Sequence, residues 1–280
     1  MKVCATITEA RAACREARGS GRRLGLVPTM GALHEGHLSL VRAAKAQCDA
    51  VAVSIFVNPT QFGPTEDLAK YPRQFARDCR LLEKEGAEIL FAPPVEEIYP
   101  GEVTWVVVEG LSEKLDGRSR PGHFRGVTTI VSKLFHIIEP GVAFFGQKDA
   151  AQLAVIRRMV EGLNFPVEIV ACPIVREPDG LAMSSRNAYL TGEERRQALV
   201  LQRSLEEARQ QFNTGERSAA RLISAAKEVF AREPQVALDY LEIVDPDALD
   251  PVERISQKAL VAVAAYVGGT RLIDNVVLEP

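Results

Sequence analysis

Residues 24–48 read LGLVPTMGALHEGHLSLVRAAKAQC. The first six are almost wholly apolar, a run that suits a strand buried on both faces, as the strands of a parallel sheet are. A glycine-bearing turn follows, and over 36–48 the residues Leu38, Val41 and Ala44 fall on one face of a helix. Strand, turn and amphipathic helix together make half of a parallel crossover unit. The alternation repeats downstream: apolar runs at 50–57, 88–91, 103–108, 142–145 and 167–171 read as strands, and helical patterns fall at 72–85, 127–138 and 149–163. The expected fold class is α/β, a Rossmann-like doubly wound parallel sheet. In such sheets ligands bind beyond the carboxyl ends of the strands, at the switch point.

After Asn187 the rhythm changes. Ala198, Leu201, Leu205, Ala208 and Phe212 at 3,4 spacing, then Leu222, Ala226 and Val229, give two helices joined by Asn213-Thr214-Gly215. Apolar runs at 237–244, 260–267 and 271–278 give strands, the last two separated by the hairpin signal Gly268-Gly269. This is a smaller α+β C-terminal domain. Pro178-Asp179-Gly180 punctuate the junction, so the expected division is 1–177 and 178–280, with a flap or hinge at the start of the second part.

With 34 basic against 37 acidic residues the formal net charge is −3, which gives no general attraction to a nucleic acid or an anionic membrane. Any polyanion must be held locally. The apolar share of 46% and charged share of 25% exclude disorder and coiled coil. Cys4, Cys14, Cys48, Cys79 and Cys172 are odd in number, widely spaced and without CxxC, so they encode neither a disulfide framework nor a zinc cluster. Arg11, Arg15, Arg18, Arg22 and Arg23 stand near the N-terminus without a signal peptide's apolar stretch, and no run approaches the roughly 18 apolar residues of a membrane span. The expectation is a cytoplasmic protein.

Four clusters carry chemistry. In Pro28 to His37, two imidazoles three residues apart project to one side of a first helical turn, beside unpaired N–H groups and the positive end of the helix dipole, an anion site with two proton donors. Gly31 and Gly36 allow a phosphate chain close to the backbone. The same histidines also fit a plain exposed helix start; zinc fits worse, because helical metal pairs sit at i,i+4. The second cluster, Asn58 to Gly63, is either an ordinary turn or a loop in which the Gln61 amide meets a hydroxyl-rich ligand. In the third, Gly146-Gln147-Lys148-Asp149, Asp149 suits a helix cap and Lys148 either solvent or a phosphate, with Gln152 one turn on. The fourth, Gly180 to Asn187, has the groups of a phosphate clamp and the place of a linker. A basic loop at Arg118, Arg120, His123 and Arg125 is a lesser candidate.

PTMGALHEGH (28–37), VNPTQF (57–62), FGQKD (145–149) and GLAMSSRN (180–187), in this order and spacing, resemble the pantoate–β-alanine ligases. The likeness runs from about 24 to 190 and continues in layout to the C-terminus. More distantly, 34–37 resembles the HIGH motif of nucleotidylyltransferases and class I aminoacyl-tRNA synthetases, and 183–186 resembles their KMSKS loop. Ala182 before the methionine departs from the synthetases and agrees with the ligases. The resemblance implies an ATP-dependent ligation of (R)-pantoate to β-alanine through a pantoyl adenylate, with Mg²⁺, in a homodimer. It implies that Met30, Gly31, Ala32, Leu33, His34, Glu35, Gly36 and His37 bind ATP, joined by Gly146, Gln147, Lys148, Asp149, Val175, Met183, Ser184, Ser185 and Arg186. His37, His34, Lys148 and Arg186 are the implied catalytic set, Gln61 and Gln152 hold pantoate, Gln61 also meets β-alanine, and Asp78 stands on the metal side. The rival readings are an adenylyltransferase with another phosphate acceptor and a noncatalytic nucleotide-binding module.

Overall fold

The structure, a computed structural model, describes residues 1–64 and 66–280. Its elements run β1 (Lys2–Cys4), α1 (Ile7–Ala17), β2 (Leu24–Thr29), α2 (Glu35–Gln47), β3 (Ala50–Ile55), α3 (Phe75–Glu85), β4 (Ile89–Phe91), α4 (Val95–Ile98), α5 (Asp116–Ser119), α6 (His123–Ile138), β5 (Val142–Gly146), α7 (Ala150–Gly162), β6 (Glu168–Cys172), α8 (Gly192–Asn213), α9 (Ala219–Phe230), β7 (Val236–Val244), β8 (Ala259–Val267) and β9 (Thr270–Leu278). Two compact units result. The first comprises Met1–Glu113, Arg120–Gly146 and Val155–Pro173, the second Lys114–Ser119, Gln147–Ala154 and Ile174–Pro280. The division is therefore not one cut near 177: two short segments from within the first 154 residues belong to the second unit.

The first unit holds a six-stranded parallel sheet in the order β1-β4-β3-β2-β5-β6. From β2 the chain winds outward through β3 and β4, and from β5 it winds the other way to β6. The switch point therefore lies between β2 and β5, which pair at Gly25 and Val142. The central strands are buried along nearly their whole length, and Val27, Val41, Val53, Leu82, Leu90 and Phe144 pack into one apolar cluster.

The 103–108 run forms no strand of the sheet. Its backbone is held instead by side chains of α6: Val106 N–H donates to Thr129 Oγ1 (3.0 Å) and Thr128 Oγ1 donates to Val106 O (2.6 Å). Besides the four-residue helices α4 and α5, two elements at the N-terminus have no counterpart in the sequence reading. They are β1, which pairs with β4, and α1, closed by a capping box in which Glu9 N–H donates to Thr6 Oγ1 (3.2 Å) and Glu9 Oε2 accepts from Thr6 N–H (3.0 Å).

The second unit packs α8 and α9 on the antiparallel sheet β7-β8-β9, with Leu201, Leu205, Leu222, Val261 and Val263 in its core. The β8–β9 turn is at Gly268-Gly269, where Gly268 has φ +56°. Among the described residues no helix is long and apolar enough to cross a membrane.

Candidate active site

The turn after β2 is held by one side chain of β2 itself and one from α3. Thr29 Oγ1 donates to Ser54 O on β3 (2.7 Å) and accepts from Gly31 N–H (3.2 Å). Gly31 (φ +80°) and Ala32 (φ +50°) are left-handed, and a Cβ on Gly31 would lie 3.0 Å from Ile55 Cγ2 and 3.2 Å from Asp78 Oδ2. Asp78, on α3, stabilises this conformation: Oδ2 accepts from Ala32 N–H (2.8 Å) and Oδ1 from Leu33 N–H (2.9 Å), and the residue is 0% exposed. Each oxygen thus holds one loop N–H, and none of the side chain reaches solvent. The metal-side role implied for Asp78 does not fit it, because each oxygen is committed to the loop.

The histidines cap the following helix. Gly36 N–H donates to His34 Nδ1 (3.2 Å) and His34 N–H donates to His37 Nδ1 (3.3 Å), with the two ring centroids 4.1 Å apart. A ring nitrogen that accepts carries no proton, so in each neutral imidazole the proton sits on Nε2. Both rings thus present an Nε2–H donor edge at the positive end of α2. Glu35 is paired with Arg42, which also binds Glu85 Oε1 at 2.8 Å, so its charge is partly neutralised.

The 58–61 turn joins this loop through Gln61, whose Nε2 donates to Met30 Sδ (3.1 Å). Its Oε1 accepts from Asn58 Nδ2 (3.1 Å). The Gln61 carbonyl accepts from His123 Nδ1 (2.8 Å) and Arg120 Nη2 (3.4 Å), while Arg120 also meets both oxygens of Glu66 at 2.9 and 2.6 Å. Burial pushes the Glu66 carboxyl up, but the Arg120 guanidinium outweighs it and holds the group below its usual range. The basic loop is therefore divided among structural tasks: Arg118 pairs with Glu242 in the second unit, Arg120 braces Gln61, and Arg125 stacks 4.2 Å over Trp105.

The remaining candidates lie in the second unit or, as Gly146 does, end β5. Asn275 on β9, 2% exposed, donates through Nδ2 to the carbonyls of Gln147 and Lys148, both at 2.9 Å, and its Oδ1 accepts from Gln147 Nε2 (3.3 Å). Lys148 Nζ lies 3.5 Å from Asp149 Oδ1, and Gln152 is half-buried on α7. The GLAMSSRN segment folds back as a pinned hairpin. Met183 N–H donates to Val175 O (3.0 Å), Arg176 bridges Ala182, and Asn187 Nδ2 donates to Glu177 Oε1 (2.8 Å) and Ala182 O (3.1 Å). Ser184 caps a short turn over Ser185–Tyr189 by accepting from Arg186 N–H (3.3 Å).

Asn58 and Asn275 have no role in the sequence reading, although Asn58 stands inside a motif and Asn275 is a polar residue in an apolar strand pattern.

A profile of the family described as "Pantoate-beta-alanine ligase" matches residues 2–277. The chain belongs to the pantoate–β-alanine ligase family. Pantothenate synthetase of Koribacter versatilis is 61% identical over all of this chain and 96% of its own length, and that of Thermotoga neapolitana is 57% identical over 99% of this chain and 100% of its own. The crystal structure of pantothenate synthetase from Thermus thermophilus superposes with a TM-score of 0.96 at 47% identity, covering 100% of both chains. A ligase from Francisella tularensis, crystallised in complex with "Beta-gamma ATP and Beta-alanine", has a TM-score of 0.81 at 32% identity, covering 99% of this chain and 97% of its own. The activity is accordingly that of the family, an enzymatic ligation of pantoate to β-alanine, and the two rival readings give way to it.

Proposed function

We propose that this ligation runs through an acyl adenylate made from ATP. A carboxylate oxygen of (R)-pantoate attacks the α-phosphorus, the bond from that phosphorus to the bridging oxygen breaks, and pyrophosphate leaves. The neutral amine of β-alanine then attacks the acyl carbon, AMP departs and the amine gives up a proton. Negative charge builds on the nonbridging oxygens in the first step. The observation that carries the reading is the pair of Nε2–H donors fixed on the first turn of α2, preorganised for such charge beside the switch point.

His37 is the proton donor and His34 its neighbour at the reacting phosphates. Lys148 and Arg186 neutralise phosphate charge, and Met30 to His37, Gly146, Gln147, Asp149, Val175, Met183, Ser184 and Ser185 complete the nucleotide contacts. Gln61 and Gln152 hold pantoate, and Gln61 also meets β-alanine. These roles follow their places in the motifs. The complex of the Francisella ligase supports ATP and β-alanine as ligands. A divalent ion such as Mg²⁺ is assigned to the ATP phosphates and to no protein cage, because Asp78 has both oxygens engaged. Among the described residues no group of three or more His, Cys, Asp and Glu side chains is arranged to hold a metal. The enzyme is read as a cytoplasmic homodimer.

The test is exchange of labelled pyrophosphate into ATP, which should require pantoate and proceed without β-alanine. His37→Ala should slow the exchange by about 10²–10³ in an enzyme that still folds, its melting lowered by no more than a lost helix cap costs, about 0.5–2 kcal/mol. Exchange that ignores pantoate, or a folded His37→Ala enzyme of normal rate, refutes the assignment.

A further inference from the structure

Gly126 lies in the first turns of α6 without a positive φ, so its backbone conformation does not call for glycine. Glycine is among the poorest formers of a helix interior, and the reason for it here is space. A Cβ at this position would lie 2.4 Å from Thr60 O, 2.6 Å from Gln61 Cα and 2.6 Å from Gln61 N, all backbone atoms that no side-chain rotation can move. Helix α6 therefore sits backbone to backbone against the turn that carries Gln61. Its carbonyl at Gly126 accepts from Asn58 Nδ2 (3.1 Å), and its His123 ring binds the Gln61 carbonyl (2.8 Å).

The orientation of the Gln61 amide follows from the same cluster. Asn58 is 1% exposed, and its Oδ1 receives Thr60 N–H (3.3 Å), Thr60 O–H (2.8 Å) and the Tyr99 O–H (3.0 Å). Three donors on one oxygen fix which end of the Asn58 amide is which. Its Nδ2 must then donate, and one of its acceptors is Gln61 Oε1. That engages the acceptor end of the Gln61 amide and assigns Nε2 as its donor end. One Nε2 hydrogen goes to Met30 Sδ, and the other has no partner among the described residues. The donor end of the amide is thus the end left for a ligand.

We propose that Gly126 and Tyr99 are positioning residues for substrate recognition: Gly126 sets where the Gln61 backbone lies, and Tyr99, through Asn58, sets the Gln61 amide to donate to an oxygen of the hydroxy acid. The proposal rests on the assignment of pantoate to Gln61. Burial raises the Tyr99 phenol above its ordinary range, which keeps its O–H available as a donor at neutral pH.

The experiment titrates ATP and (R)-pantoate separately by calorimetry, pantoate in the presence of an α,β-methylene ATP in which the reacting bond cannot break. Gly126→Ala should weaken pantoate about tenfold or more and Tyr99→Phe about threefold, with ATP affinity within about twofold of the unmodified enzyme in both. A merely structural role would move both ligands together. Each substitution placed on a Gln61→Ala background should cost less than about twofold more, because residues acting through Gln61 lose their effect once its amide is gone. Additive losses, or equal losses for ATP and pantoate, overturn the proposal. If Gly126→Ala does not fold, Tyr99→Phe and its double variant decide alone. Unchanged pantoate binding in Gln61→Ala overturns a different statement, the placement of pantoate on Gln61, and the proposal falls with it.

Discussion

Asp78 shows how a residue's chemistry is decided by what its oxygens touch. Carboxylates near phosphates invite a metal-ligand reading, and the family resemblance supplies one, yet this side chain spends both oxygens on two consecutive backbone N–H groups in a left-handed loop. Asp78→Ala would take the carboxylate acceptor from the Ala32 and Leu33 N–H groups, each loss costing about 1–3 kcal/mol. The variant should melt well below the parent, and Asp78→Asn, which keeps one acceptor, should fall between. The Mg²⁺ concentration for half-maximal rate should stay where it is in Asp78→Asn. A shifted Mg²⁺ midpoint with unchanged melting would show a ligand and refute the brace. From sequence the chemistry of this residue was legible and its direction was not, because α3 and the β2 turn meet only in the fold, 45 and 46 residues apart.

Elements show the same division. The strands at 24–29 and 142–146 and the helix at 35–47 were legible because apolar periodicity reports burial, which tertiary structure then confirms. The 103–108 run has the composition of a strand and finds no place in the sheet. Its Val106 groups are tied to Thr128 and Thr129, while the backbone groups of Trp105 and Val107 have no partner among the described residues, and these side chains are 38% and 52% exposed. A strand-like segment with one backbone edge open is self-complementary across a two-fold axis. The homodimer reading therefore has a place to form. Sedimentation should give a dimer for the unmodified chain, and Val107→Asp should shift it to monomer without lowering the melting point. A monomeric parent, or a dimer indifferent to this change, sinks the idea. The Thr6-Glu9 capping box was a readable signal for α1, and it was the short β1 before it, three residues long, that carried too little pattern to announce an edge strand.

At the scale of the whole chain, sequence alternation gave the class of each unit but not their membership. Lys114, Asp116 and Arg118 are bound to Asp250, Arg271 and Glu242, partners more than 120 residues away, and charge pairs of that separation leave no periodic trace. Ion pairs of this kind also set how the molecule responds to acid. Glu66 and Glu177 are each pushed up by burial and more strongly held down, by Arg120 in the first unit and by Arg195 with Asn187 in the second. Glu9 and Glu194 are held low by the backbone N–H groups of their capping boxes. All four fall below the ordinary 4.5 in the folded chain. Folded carboxylates of this kind stay ionised where the unfolded chain's take up protons, so the unfolded state gains stability as pH falls through that window. Their contribution is fully present above 4.5 and disappears progressively below it. Melting temperature measured at low salt should be flat from neutral pH down to about 5.5 and drop increasingly steeply below about 4.5. Glu66→Gln should lower the plateau and flatten the acid limb, since a group that cannot titrate removes its own share of the slope. An acid limb of unchanged steepness in that variant would mean that the Arg120 pair leaves the protonation of Glu66 the same in the folded and unfolded chain.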